Sequence, residues 1–347
     1  MRTDSPVPRR AAVVGVLAVV AVGAGRLATR GTSSPAASPS PTPSRTQTPP
    51  ASASSVTTSS APLSSEGTPA GATPSPSSSP PGAELPRGGG EVFPRYRLVG
   101  YCGAPGSPAL GRLGIGRLDD RVKEIEKVAR GYAVDREPLP VLELIAVVVQ
   151  AHPGSDGRYR VRIGDDVIRA HLDAARRHRA LLLLNVQPGR ARFLDEVRSL
   201  ERWLSEPDVG VALDPEWAVG PGQTPGRVFG STTGAVIDSV AAYLDGLVRA
   251  GGLPQKVLVV HQLNPRIVTG WQALRRRSGV VVVKSVDGIG NSAEKITTWK
   301  RLVKGLPSTL HPGFKLFFDE DRRDGGRLMS AAQVLALRPR PEYVMYE

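Results

Sequence analysis

Two regimes of polar and apolar positions divide this chain. Up to about residue 90 there is one apolar run, residues 11–25, followed by a long stretch with almost none. Beyond it, β-branched apolar runs alternate with segments of helical period. The runs predict strands at 97–100, 141–149, 180–185, 209–214, 256–261, 280–285, 315–319 and 343–346. Between them, amphipathic spacing predicts helices near 119–134, 165–178, 193–205, 233–250, 267–275, 293–304 and 330–337. The runs at 181–184 and 280–283 do not alternate, as expected of parallel strands covered on both faces. Gly251 and Gly252 stop one helix, and Ser330 opens the last.

Eight strands with seven intervening helices make an α/β fold, a (β/α)₈ barrel of the TIM type, the economical solution for residues 91–347. An open doubly wound sheet would need a glycine-rich turn directly after its first strand. Gly111, Gly114 and Gly116 lie too far beyond Gly100 to supply it. The sequence ends at the eighth predicted strand, so the barrel is expected to lack a final helix. Its seam is then covered either by the segment before Arg97 or by the loop at 101–117.

Composition changes the picture for the first 90 residues. Residues 31–90 are almost wholly Ser, Pro, Thr, Ala and Gly, with too little apolar area to offset the entropy of ordering. A solvated, disordered linker is expected there. Arg9 and Arg10 precede the apolar run at 11–25, whose length suits an export signal better than a span of roughly 20 residues. Residues 1–30 therefore read as a signal peptide or a retained N-terminal membrane anchor, with Leu27 and Ala28 available to lengthen it. The expected location is extracellular or at the cell surface, after export across the cytoplasmic membrane. The single cysteine, Cys102, rules out an internal disulfide and reads as a small buried apolar residue.

The formal charge of +13 is concentrated in the folded part, where 38 basic and 29 acidic residues give +9. Such an excess suits an anionic wall polymer or a nucleic acid. Only eight of the 45 basic residues are lysine, however, and the arginines are scattered over predicted helices as solvated faces. No basic stripe is interleaved with aromatics, so no nucleic-acid partner is expected, and the chain reads as a monomer.

Barrel chemistry gathers where strands end. Those ends carry Tyr101, His152, Asn185 with Gln187, Asp214 with Glu216, His261 with Gln262, Asp287, Asp319 with Glu320, and Tyr346. The sharpest element is Val211-Ala212-Leu213-Asp214-Pro215-Glu216-Trp217. Two carboxylates so close cannot easily both ionise, so one is expected to stay protonated and act as an acid. Trp217 and Trp271 offer faces for stacking on sugar rings.

This Asp-x-Glu at the end of the fourth strand resembles that of chitinase-type glycosidases and barrel-fold lysozymes. The resemblance covers about eight residues and implies that Glu216 is the proton donor, with Asp214 tuning it. The chitinase pattern has further acids upstream, where this chain has Gly210 and Ala212. The lysozymes have an acid on strand one, where it has Tyr101 and Cys102. Many retaining glycosidase barrels pair the strand-four acid with one after strand seven, which would engage Asp319 or Glu320. Asp287 is a third acidic candidate. His152, Asn185, Gln187, His261, Gln262 and Tyr101, with Trp217, Trp271 and Tyr346, are the expected substrate-binding set.

The expected function is thus a glycoside hydrolase-like barrel on a cell-surface or extracellular polysaccharide, tethered to wall or membrane through its N-terminal segment. The alternatives are a non-catalytic barrel binding glycan or protein, and a metal-assisted hydrolase using His152, Asp214, His261 and Asp287. No His-x-His, HExxH, cysteine pair, nucleophile elbow or phosphate loop is present, so no metal and no cofactor is expected.

Overall fold

A computed structural model describes residues 83–347; the expected export segment and nearly all of the expected linker lie outside them. Eight strands run in chain order around a closed ring. They are β1 (Tyr96–Gly103), β2 (Glu137–Val149), β3 (Leu181–Val186), β4 (Val209–Leu213), β5 (Lys256–Gln262), β6 (Val280–Val286), β7 (Leu310–Leu316) and β8 (Tyr343–Tyr346). Each pairs in parallel with the next, and β1 closes the ring by pairing with β8 as well as β2. The outer layer comprises α1 (Leu118–Arg130), α2 (Asp165–Arg177), α3 (Phe193–Arg198), α4 (Glu201–Leu204), α5 (Gly234–Gly251), α6 (Ser292–Leu302) and α7 (Ala331–Leu335). The expected (β/α)₈ barrel is the observed fold.

Strand period separates two cores. Leu98, Leu139, Val141, Leu183, Ala212, Val259 and Val283 pack inside the ring. Val99, Leu142, Leu184, Val211, Val260 and Val282 point outward against the helices, where Trp299, Leu244 and Ile125 meet them. Both faces of the strands are buried, which explains why the runs at 181–184 and 280–283 do not alternate.

Three elements differ from expectation. The helix expected at 267–275 does not form. Thr232–Thr233 pairs in parallel with Val268–Thr269 instead, and Gly270 follows with φ of 65°. β-Branched residues 267–269 favour extension, and a left-handed glycine stops any helix there. The helix expected at 193–205 breaks into α3 and α4, where the Ser199 hydroxyl donates to the Glu196 carbonyl at 2.7 Å and competes with the backbone ladder. Finally, β7 begins at Leu310 rather than 315, because Pro312 and Gly313 disguise it. Gly313 is needed there, since a Cβ would lie 2.8 Å from Val283 and 2.9 Å from the Tyr343 ring.

The two candidate seam covers divide the work. The loop after β1 and the end of α1 cover the outside of β1 and β8: Leu113 is buried, and the Tyr132 and Tyr346 hydroxyls meet at 2.6 Å. The segment before β1 plugs the N-terminal end of the ring. Leu85, Val92 and Phe93 join the interior core, Arg87 donates to the Pro138 carbonyl at 2.9 Å, and the Tyr96 hydroxyl donates to the Gly88 carbonyl at 2.7 Å. The packed part therefore begins by Leu85, ahead of the expected boundary at 91. Leu85→Ala in the full chain is expected to cost about 2–5 kcal/mol, as buried leucines do, and to lower Tm by at least about 5 °C. An unchanged melt would show that the plug adds nothing to the barrel.

Candidate active site

Following the interior positions of each strand toward its C-terminal end leads from apolar to polar residues. Val141 is followed by Glu143, Leu183 by Asn185, Ala212 by Asp214, Val259 by His261, Val283 by Ser285 and Asp287, and Gly313 by Lys315. The upper half of the ring is consequently a buried polar network rather than a third apolar layer.

Glu143 lies at one end of that network. Its Oε1 accepts from Asn185 Nδ2 and His261 Nε2, both at 2.9 Å, and its Oε2 accepts from the Tyr343 hydroxyl. The other imidazole nitrogen, Nδ1, is 2.8 Å from Asp287 Oδ2. Asp287 also accepts from the Ser285 hydroxyl at 2.7 Å and lies 3.4 Å from Lys315 Nζ, which pairs with Glu347 at 2.5 Å. Asp214 is held by two amides, Asn185 Nδ2 on Oδ1 and Gln187 Nε2 on Oδ2, each at 3.1 Å.

Burial and neighbours set the charges. Burial alone would raise the Glu143 carboxyl, but the imidazolium of His261 and the ammonium of Lys315 hold it down to about 2. Asp287 is likewise kept ionised against burial by His261 and Lys315. Burial would neutralise His261, yet Asp287 and Glu143 on its two sides push its pKa well above the ordinary histidine value. Asp214 is raised by burial, which outweighs the pull of His261. Glu216 differs from them all. Burial, then the charges of Asp214 and Asp287, push it well above the usual carboxylate range. Its Oε2 is buried and has no hydrogen-bond partner among the described residues.

Glu216 sits on a 3₁₀ turn, Pro215–Trp217, just past β4. Proline at the first position of that turn suits its fixed φ. The turn is tied down from both ends: Trp217 N–H donates to the Asp214 carbonyl at 3.2 Å, and Gly230 N–H donates to the Glu216 carbonyl at 2.6 Å. The loop after β4 thus folds back onto the residue that carries the acid.

Asn185, Gln187, Asp214, His261 and Asp287 are brought together with Glu216, and Trp217 lies partly exposed beside it. Other expected site residues lie elsewhere. Tyr101 and Tyr346 are on outward strand positions, in an aromatic cluster with Phe318. Gln262 also faces outward; its amide donates to the carbonyls of Asn264 at 3.0 Å and Val268 at 3.3 Å, and its Oε1 accepts from the Trp271 indole. His152 is exposed on the loop after β2, apart from this network. Asp319 is exposed on the rim of a 320 Å³ cavity shared with Glu347, and Glu320 pairs with Arg323 at 3.2 Å. The acids acting on Glu216 are therefore Asp214 and Asp287, not those after β7.

The metal set inferred from sequence does not assemble. His152 stands apart, and both nitrogens of His261 already face carboxylates, as an imidazolium requires and a metal ligand does not. Glu143, Ser285, Lys315, Tyr343 and Glu347 escaped the sequence reading. A signal existed for two of them: Glu143 is a lone acid within the apolar run at 141–149, and Lys315 interrupts Phe314 and Leu316.

No family model matches the chain, and no curated protein matches it. One solved structure similar to it is described as a hyperthermophilic endo-beta-1,4-glucanase in complex with substrate. Their TM-score is 0.38 at 10% sequence identity, over 72% of this chain and 87% of that one. The class that the closed ring itself defines is the (β/α)₈ barrel.

Proposed function

We propose that this protein is a glycoside hydrolase that cleaves a polysaccharide by carboxylate acid catalysis, with Glu216 as the proton donor. The observation that carries this reading is the buried Glu216 carboxyl, which has one oxygen without a partner and which burial and two acidic neighbours push well above the usual carboxylate range. A protonated carboxyl at a strand end can give its proton to the glycosidic oxygen as the bond to the leaving sugar breaks; water then bonds to the anomeric carbon and its released proton restores the acid. Asp287, held ionised by His261 and Lys315, places a fixed negative charge where positive charge develops on the sugar. Asp214 is oriented by Asn185 and Gln187, and its charge sets how readily Glu216 gives up its proton. Partly exposed Trp217 offers a ring for stacking. The N-terminal apolar run and the Ser/Pro/Thr-rich stretch support export and work outside the cytoplasm.

The pH profile of hydrolysis tests the assignment. Activity requires protonated Glu216, so it falls as pH rises through the raised pKa, leaving an alkaline limb well above the ordinary carboxylate range. Asp214→Asn removes a neighbouring negative charge, lowers the Glu216 pKa and moves that limb to lower pH. A limb that stays in place would separate Glu216 from the proton transfer. Binding of a glycan with no cleavage of any polysaccharide supplied would favour a non-catalytic binding barrel.

A further inference from the structure

The loop that carries Glu216 also builds one wall of an open groove of about 680 Å³, lined by Phe229–Ser231, by residues 264–267 and by Arg301 of α6. Its walls are fastened to each other. Thr232 N–H donates to the Ile267 carbonyl at 2.8 Å, and the parallel pairing of Thr232–Thr233 with Val268–Thr269 zips the loop after β4 to the loop after β5. The second wall is braced internally: Asn264 Oδ1 accepts from Arg266 N–H at 2.9 Å, and the Gln262 amide holds the Asn264 carbonyl. Gly230 seats the first wall, since a Cβ there would lie 2.2 Å from the Ala218 carbonyl oxygen. Its N–H is the one bonded to the Glu216 backbone carbonyl, so the first wall is tied to the backbone of the residue that carries the candidate acid.

The groove is chemically one-sided. Phe229, directly before Gly230, is 60% exposed, an unusual state for a phenylalanine with nothing to stack on. Arg266 and Arg301 are both exposed, and among the described residues neither has a carboxylate partner. Nearby Arg275 and Arg277, by contrast, both pair with Asp238. A prebuilt groove with one bare aromatic face and two uncompensated guanidinium groups matches a sugar ring bearing an oxyanion: the ring stacks, and the anion takes charge-assisted hydrogen bonds. The net charge of +9 on residues 91–347 attracts the same kind of polymer.

We propose that this groove is a binding subsite for an anionic polysaccharide, one whose repeat carries a carboxylate or a phosphate, with Phe229 stacking on the sugar and Arg266 and Arg301 holding the oxyanion. The inference rests on the polysaccharide reading of the site and specifies its substrate class.

The test is binding, measured calorimetrically on the full chain carrying Glu216→Gln so that no ligand is consumed. The ligands are polygalacturonate, the same polymer with its carboxyls reduced to alcohols, a phosphomannan, whose sugar repeat carries phosphate, and a single-stranded oligonucleotide. At least one anionic polysaccharide is expected to bind at least about tenfold more tightly than the reduced polymer, and which one does so identifies the oxyanion. The double variant Arg266→Gln/Arg301→Gln is expected to weaken that binding about 10–100-fold, the range of a charge-assisted hydrogen bond, and to remove its salt dependence. Phe229→Ala is expected to weaken charged and reduced polymers alike. Equal affinity for the reduced polymer, an unaffected double variant, or tighter binding of the oligonucleotide would each overturn the proposal. Anionic binding lost in the double variant, in a wild-type chain that cleaves nothing, would uphold the groove and defeat the hydrolase reading alone.

Discussion

Glu216→Gln is expected to abolish hydrolysis while leaving glycan binding within about twofold of wild type. The amide keeps the shape of the carboxyl and cannot give up a proton to the glycosidic oxygen, and general acid catalysis is typically worth about 10²–10⁴-fold. The loss should appear in kcat, because the interaction removed is made only as the bond breaks. Trp217→Ala should behave in the opposite sense, raising KM more than it lowers kcat. The substitution at 216 also bears on stability. A carboxyl whose pKa is raised by folding stabilises the protein below its unfolded value, and that contribution is lost as pH rises through the folded value. Glutamine cannot ionise, so the variant should lose less stability than wild type as pH rises from about 4.5 through that raised value. Full hydrolysis by Glu216→Gln would remove Glu216 from the chemistry altogether.

His261→Leu is expected to be the most damaging single change to the fold, costing about 3–5 kcal/mol at neutral pH. His261 is fully buried between Glu143 and Asp287, and removing one partner of a buried ionic set leaves the other charges uncompensated. Sign and pH range follow from the shifts. Glu143, lowered to about 2 from 4.5, contributes stability that is present above about 4.5 and lost as pH falls through about 2. His261, raised from 6.5, contributes stability that is present below 6.5 and lost as pH rises through its raised value. Wild type should therefore be most stable between these limits. In the variant, Glu143 and Asp287 lose their main counter-charge and take up protons more readily. The gap between the two proteins should accordingly narrow as pH falls from about 6.5, where the His261 contribution is fully present, toward about 4. Thermal melts of both proteins at several pH values measure this directly. A gap that stays constant with pH would mean that the loss comes from packing rather than from charge.

The apolar strands were legible because burial on both faces demands uninterrupted runs, as at 181–184 and 280–283. Asp214 and Glu216 were legible as a pair because two acids separated by one residue after such a run are hard to place in any other way. Gln262, Tyr101 and Tyr346 lie outside the buried network for one shared reason. A residue at a strand end is recognisable from sequence, but the face it occupies depends on register, and a shift of one position sends it from the ring interior to the outer core. Asp319 lies past its strand rather than at its end: Pro312 and Gly313 concealed the start of β7, so the strand end was read three residues late.

What the amino-acid sequence determined by itself was the alternation of strands and helices, hence the barrel class, and the presence of a crowded acidic pair after β4. These are local properties, readable from spacing. Closing the ring decided the rest. Only closure brings Glu143 of β2, His261 of β5, Asp287 beyond β6 and Tyr343 of β8 into one buried network across separations of up to 200 residues. Only that network holds Asp287 below the usual carboxylate range and pushes Glu216 well above it. The groove belongs to the same level, because its two walls come from different loops and meet through a strand pairing where sequence spacing indicated a helix. Charge state and groove shape depend on which distant groups share a dry interior, and spacing along a chain carries no record of that.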